Sequence, residues 1–157
     1  MRGQGVKKLK FGAIEIAGSF SANQEVHGKG LKKWRKIVKN SRSTRAKQFE
    51  YYIYRGSLVN SQIDGFGEFK WPDGRHYIGD FVNSQMHGHG KMTWLESIGK
   101  NAGTSTQGNE RPAQIKNTYK GDLYSNVIHG RGHLKRSNGD SYEGEFENAV
   151  FNGEGIY

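Results

Sequence analysis

Six histidines, a file of alternating glutamates and one dense run of bases are the residues of this 157-residue chain that could do chemistry. His87 and His89 stand two apart, a spacing that would place both on one face of a strand as half a metal site. No carboxylate stands beside them at ligand spacing. The chain has no cysteine, which excludes thiolate metal centres, disulfides and cysteine nucleophiles. His27, His87 and His129 each precede a pair of glycines, where Asp64 and Asn152 stand in matching segments. Asp, Asn and His tolerate turn backbone better than other non-glycine residues, so this position reads as a turn. Glu143, Glu145 and Glu147 alternate, most simply as the solvent face of a strand. Neither a Gly-x-Ser-x-Gly elbow nor a P-loop lysine occurs, and Gly130-Arg-Gly132 lacks the third glycine of a dinucleotide fingerprint. The expectation is a chain with no catalysis, no metal and no cofactor.

The bases are more suggestive. Residues 26–49 hold nine lysines and arginines and no acid. Residues 1–50 carry thirteen bases against three acids, a net of +10, whereas residues 51–157 carry eleven against twelve. The formal charge of +9 therefore resides in the first third of the chain. Lys29, Lys32, Lys33, Trp34, Arg35, Lys36, Lys39, Arg42 and Arg45 form the candidate partner-binding segment, facing an acidic protein surface, anionic lipid or nucleic-acid phosphate. No nucleic-acid recognition motif is present, which places nucleic acid last. Leu31, Trp34 and Val38 are spaced as on one face of a short amphipathic helix. The alternative is a strand, because Trp34 stands where Trp71 and Trp94 do in later segments.

Those segments come from the glycines, 23 in number and about twice the usual ~7%. Four stretches align without gaps. Tyr54 and Gly56 precede Gly65 and Gly67; Tyr77 and Gly79 precede Gly88 and Gly90. Tyr119 and Gly121 precede Gly130 and Gly132; Tyr142 and Gly144 precede Gly153 and Gly155. In each, 11 residues separate the tyrosine from the first glycine of the pair, and the repeat length is 23 at 54–77 and at 119–142. Gly18 with Gly28 and Gly30 fits if one extra residue is allowed, and Gly3 with Gly5 resembles a second half-unit. Twenty of the 23 glycines fall on repeat positions; Gly99, Gly103 and Gly108 share one insertion. Within a unit, Tyr77, Gly79 and Phe81 alternate with Ile78, Asp80 and Val82, the period of a strand. Polar residues 83–87 read as the turn, and Met92 and Trp94 resume the alternation. Pro72-Asp73-Gly74 marks a turn into the next unit. Two insertions, after Gly30 and after Gly90, interrupt the same connection, and the second reads from its composition as a polar loop over about 95–118.

This pattern of Tyr-x-Gly-x-Phe followed by Gly-x-Gly resembles the MORN repeat (membrane occupation and recognition nexus). The resemblance covers residues 54–157 apart from the insertion, and residues 1–30 loosely. It implies an all-β fold, an elongated curved ribbon of antiparallel hairpins in about five to six units. Residues 1–53 would be divergent units with the basic insertion, and 54–157 the repeats proper. It implies a non-catalytic scaffold, cytoplasmic and holding other proteins in a cytoskeletal or ciliary (axonemal) assembly such as a radial spoke. The alternative it implies is a membrane-peripheral adaptor that binds anionic phospholipid through the basic segment. The chain also starts and stops inside a unit, so end-to-end strand pairing with itself or with a neighbour is expected.

Overall fold

Two-residue turns with both residues at positive φ set the architecture. They are Asn60–Ser61 (50°, 63°), Asn83–Ser84 (49°, 64°), Ser125–Asn126 (49°, 72°) and Asn148–Ala149 (51°, 64°). Paired left-handed residues match the natural twist of two antiparallel strands and close tight hairpins. The computed structural model describes residues 3–8, 14–23, 25–38, 48–97 and 114–157. The described residues form strands and turns, without helix: β1 (Gly3–Lys8), β2 (Ile14–Phe20), β3 (Val26–Val38), β4 (Gln48–Val59), β5 (Gln62–Lys70), β6 (His76–Val82), β7 (Gln85–Ser97), β8 (Gln114–Tyr124), β9 (Val127–Arg136), β10 (Ser141–Glu147) and β11 (Val150–Ile156). They make one open antiparallel sheet of 11 strands whose order follows the chain.

One glycine per strand lies in a single row across the whole sheet. Gly5 pairs with Gly18, Gly18 with Gly30, Gly30 with Gly56, and so on through Gly67, Gly79, Gly90, Gly121, Gly132 and Gly144 to Gly155. The reason is steric. Tyr77 lies flat over its own hairpin, and a Cβ on Gly79 or Gly90 would land on its ring; Tyr54, Tyr119 and Tyr142 cover Gly56–Gly67, Gly121–Gly132 and Gly144–Gly155 alike. Each phenol donates to a carbonyl three residues on: Tyr54 to Ser57 (2.8 Å), Tyr77 to Asp80 (3.1 Å), Tyr119 to Asp122 (2.8 Å) and Tyr142 to Glu145 (3.1 Å). The first glycine of each pair has a different task. Gly65, Gly88, Gly130 and Gly153 hold φ of 88°, 68°, 80° and 61°, and the hairpin register shifts there by a bulge.

Packing lies on the tyrosine face. Tyr54, Tyr77 and Tyr119 are fully buried with Leu58, Phe69, Phe81, Leu123 and Phe146 around them. Phe81 stands edge-on to both Tyr54 (5.4 Å) and Tyr77 (5.1 Å), and Phe146 to both Tyr119 (5.3 Å) and Tyr142 (5.2 Å). Each such side chain contributes roughly 1.5–3 kcal/mol by leaving water. Hairpins are also stitched through their turns. Ser61, Ser84, Asn126 and Ala149 donate backbone N–H to the carbonyls of Val26, Ile63, Met86 and Ile128 in the preceding hairpin, at 2.8–3.0 Å.

Several expectations need correction. The turn expected over 83–87 is only Asn83–Ser84, because Gln85 already pairs with Val82. His27, His87 and His129 lie in β3, β7 and β9, not in turns, and the glycine after each takes the positive φ. The loop expected over 95–118 is narrower, since β7 reaches Ser97 and β8 starts at Gln114 with the two still in register. The helix considered for Leu31, Trp34 and Val38 does not form; these residues belong to β3, paired with β4 along its length. The turn after Lys70 is as expected: Trp71 and Arg75 close it at 2.9 Å around Gly74.

Candidate partner-binding surface

Strand alternation divides the basic segment between two faces. Lys32 and Trp34 pair with Tyr54 and Tyr52, which puts them on the tyrosine face with Lys36, while Lys29, Lys33 and Arg35 take the outer face. Lys32 donates to the Ser61 carbonyl at 3.1 Å, and partial burial pushes its ammonium below the usual lysine pKa. Trp34 stacks on Tyr52 with centroids 5.6 Å apart and meets Phe69 edge-on at 5.3 Å. On the outer face, Lys29 donates to Ser57 Oγ (3.3 Å), Lys33 sits 4.6 Å over the Tyr51 ring and Arg35 4.1 Å over Phe49. Lys39, Arg42 and Arg45 lie outside the described residues. The bases of β3 thus do not converge on one site.

A second set of bases does converge. On the outer face Lys91 pairs with Lys120, and Lys120 with His133, on the successive strands β7, β8 and β9. Lys135 stands two residues beyond His133 on the same face, opposite Thr118. None of Lys91, Lys120, His133 and Lys135 forms an ion pair among the described residues. They line a groove section of about 540 Å³ that runs across the strands, with Gly79 and Gly90 in its lining and Ile78 and Phe66 (38% and 54% exposed) at its β5–β6 end. A neighbouring section of about 820 Å³ continues over β9–β11 and carries Arg131, Glu143 and Glu154.

Glu143 faces His133 across β9–β10, and Asp122, Glu145 and Glu68 are engaged by other groups. Asp122 accepts from the Arg131 backbone N–H (3.2 Å) and contacts His89 Nδ1 (3.1 Å), and Glu145 pairs with Arg131 at 3.2 Å. Glu68 meets Lys70 at 3.0 Å and His76 at 2.8 Å; the Lys70 hydrogen bond, with His76, holds its carboxyl below the usual carboxylate range. Glu143, Glu145 and Glu147 share the outer face of β10. No group of three metal-binding side chains occurs among the described residues. The groove bases escaped the sequence reading because residues 51–157 nearly cancel in charge. Their signal was local: Lys91, Lys120 and His133 each adjoin the in-row glycine of their strand.

The decisive comparison is with the family model of the MORN repeat, which matches residues 54–74, 77–94, 119–141 and 142–157. This is a MORN-repeat chain. Each match begins on one of the four tyrosines that cover the glycine row. Outside those matches, β2–β3 keeps the MORN hairpin plan, with Gly18 opposite Gly30 in the row and a register shift between Gly18 and Phe20. The MORN repeat is a non-catalytic unit of protein and membrane interaction. No helix among the described residues is long and apolar enough to cross a membrane. A search of curated proteins gives no match.

Proposed function

We propose that this chain is a non-catalytic MORN scaffold that holds protein partners in a cytoskeletal or ciliary assembly. One observation carries the reading: a single sheet closes one face with tyrosines and leaves the other as a groove lined by bases without ion pairs. A surface that spans many strands, with no converging catalytic groups among the described residues, suits recognition of another macromolecule better than turnover of a small one. In this reading residues 54–157 are the docking body, and residues 1–53 extend it with divergent units and a basic margin. The test is affinity capture of the tagged chain from ciliated cells after mild cross-linking, read by mass spectrometry. Recovery of axonemal or other structural proteins at near-stoichiometric yield is expected; their absence overturns the reading.

A second reading rests on the margin where β3 and β4 continue past Trp34. On the outer face there Lys33 sits over Tyr51, which is 44% exposed, with Arg35 beside them, a pairing of base and aromatic that suits an anionic bilayer surface. Co-sedimentation with phosphatidylserine vesicles, lost in Lys33→Glu/Arg35→Glu, is what a peripheral membrane adaptor would give. No sedimentation above that with neutral vesicles rejects it.

A further inference from the structure

We infer that the outer groove across β5–β9 receives an acidic amphipathic helix from a protein partner. The inference rests on the scaffold reading and gives its partner a chemistry. Like charges directly opposite each other on neighbouring strands are unfavourable. Here Lys91 and Lys120 stand directly opposite each other, His133 follows in the row with Lys135 beside it, and none of the four forms an ion pair among the described residues; Glu143 of β10, opposite His133, ends the row. An arrangement that costs the free protein and offers an anion several contacts is that of a binding site.

Spacing selects the form of the occupant. The row crosses strands about 4.8 Å apart. A helix laid along it advances ~5.4 Å per turn, so acids at i and i+4 meet Lys91 and Lys120 on successive strands, and the side chain at i+7 reaches His133, short of Glu143. An extended peptide returns to the same face only every ~6.6 Å and falls out of step within two strands. At the β5–β6 end the row gives way to exposed Ile78 and Phe66, which calls for an apolar side chain one turn beyond the acids. The backbone of Gly79 and Gly90 contributes to the groove lining between these side chains.

The experiment uses the full chain and a labelled synthetic peptide of about five helical turns. The peptide carries glutamates on one face at successive turns and leucine one turn further on. Fluorescence anisotropy should show saturable binding that weakens about tenfold or more in Lys91→Glu/Lys120→Glu. A peptide with lysines in place of the glutamates should bind that double variant and not the parent. Ile78→Asp, which keeps every base, should weaken binding as well. Circular dichroism and melting temperature of each variant establish that the sheet is intact. Three results overturn the inference: no saturable binding, equal binding of a scrambled peptide with its acids spread around the helix, or phosphatidylserine vesicles bound through Lys91 and Lys120 while the peptide is ignored. A failed titration with structural proteins still captured from cells rejects the acidic helix alone. Tight peptide binding with no structural protein captured rejects the assembly alone.

Discussion

Two glycines that look equivalent by composition do different physical work, and this is testable residue by residue. Gly79 has an ordinary strand backbone, yet a Cβ there would meet Tyr77 and the backbone of Gly90. Gly139 has φ of 105° and open space around it. Gly79→Ala must therefore displace a buried ring and should cost about 1–3 kcal/mol. Gly139→Ala suffers only the left-handed backbone penalty, about 1 kcal/mol. Urea unfolding distinguishes the two; equal losses would mean that the tyrosine does not seal the row. The tyrosines make a second prediction. Burial, reinforced by Asp64, Asp80 and Asp122, pushes the Tyr54, Tyr77 and Tyr119 phenols up to about 12 from 10.0. Between these values the unfolded chain has lost phenolic protons that the folded chain still holds, so stability is complete below about pH 10 and falls as pH climbs towards about 12. An alkaline titration should show phenolate absorbance from these three appearing together with loss of the strand signal. Ionisation near 10 with the sheet intact would contradict their burial.

At the scale of the element, the four two-residue turns share one geometry but not one sequence. Three end in Ser or Asn, and the fourth ends in Ala149 at φ 64°, a left-handed backbone that alanine adopts poorly. Relieving that strain outweighs the extra chain entropy of glycine, so Ala149→Gly should stabilise by about 0.5–1 kcal/mol. A rise in the urea midpoint at constant slope is the expected result; a fall would mean that the turn does not hold this backbone. Turns and hairpins were legible in the sequence because each is decided within one 23-residue unit, by glycines and polar pairs close in the chain. The basic segment was not. Leu31, Trp34 and Val38 have a helical spacing while the match of Trp34 to Trp71 and Trp94 points to a strand, and the choice is made by a partner outside the segment. Trp34 finds Tyr52, Lys33 finds Tyr51 and Arg35 finds Phe49 on β4, contacts that a local pattern does not contain.

For the whole molecule, what the sequence concealed was the sorting of charge by face. Counted along the chain, residues 51–157 are nearly neutral. Counted by face, Lys91, Lys120, His133 and Lys135 gather on the outer side of β7–β9, while the outer side of β10 is acidic with Glu143, Glu145 and Glu147. Only the pairing register, across an insertion whose length hides it, brings the bases together. The same register makes stability nearly one-dimensional, because backbone contacts join each strand to its neighbours in the chain and ring contacts such as Tyr54–Phe81 reach the next strand but one. Removing a tyrosine should then have a different reach at different places. Tyr142 serves β10 and β11, which have no described strand beyond them. In Tyr142→Ala, amide exchange should accelerate in β10–β11 and remain slow from β4 to β7. Tyr77 sits mid-sheet and shares Phe81 with Tyr54. Tyr77→Ala should open β6–β7 and, by removing the support on which β4–β5 and β8–β9 stack, accelerate exchange on both sides. Hydrogen-exchange mass spectrometry of the two variants reads this directly. A uniform acceleration over all strands in both would show that the ribbon unfolds as one cooperative unit, and that coupling along it is stronger than nearest-neighbour packing supplies.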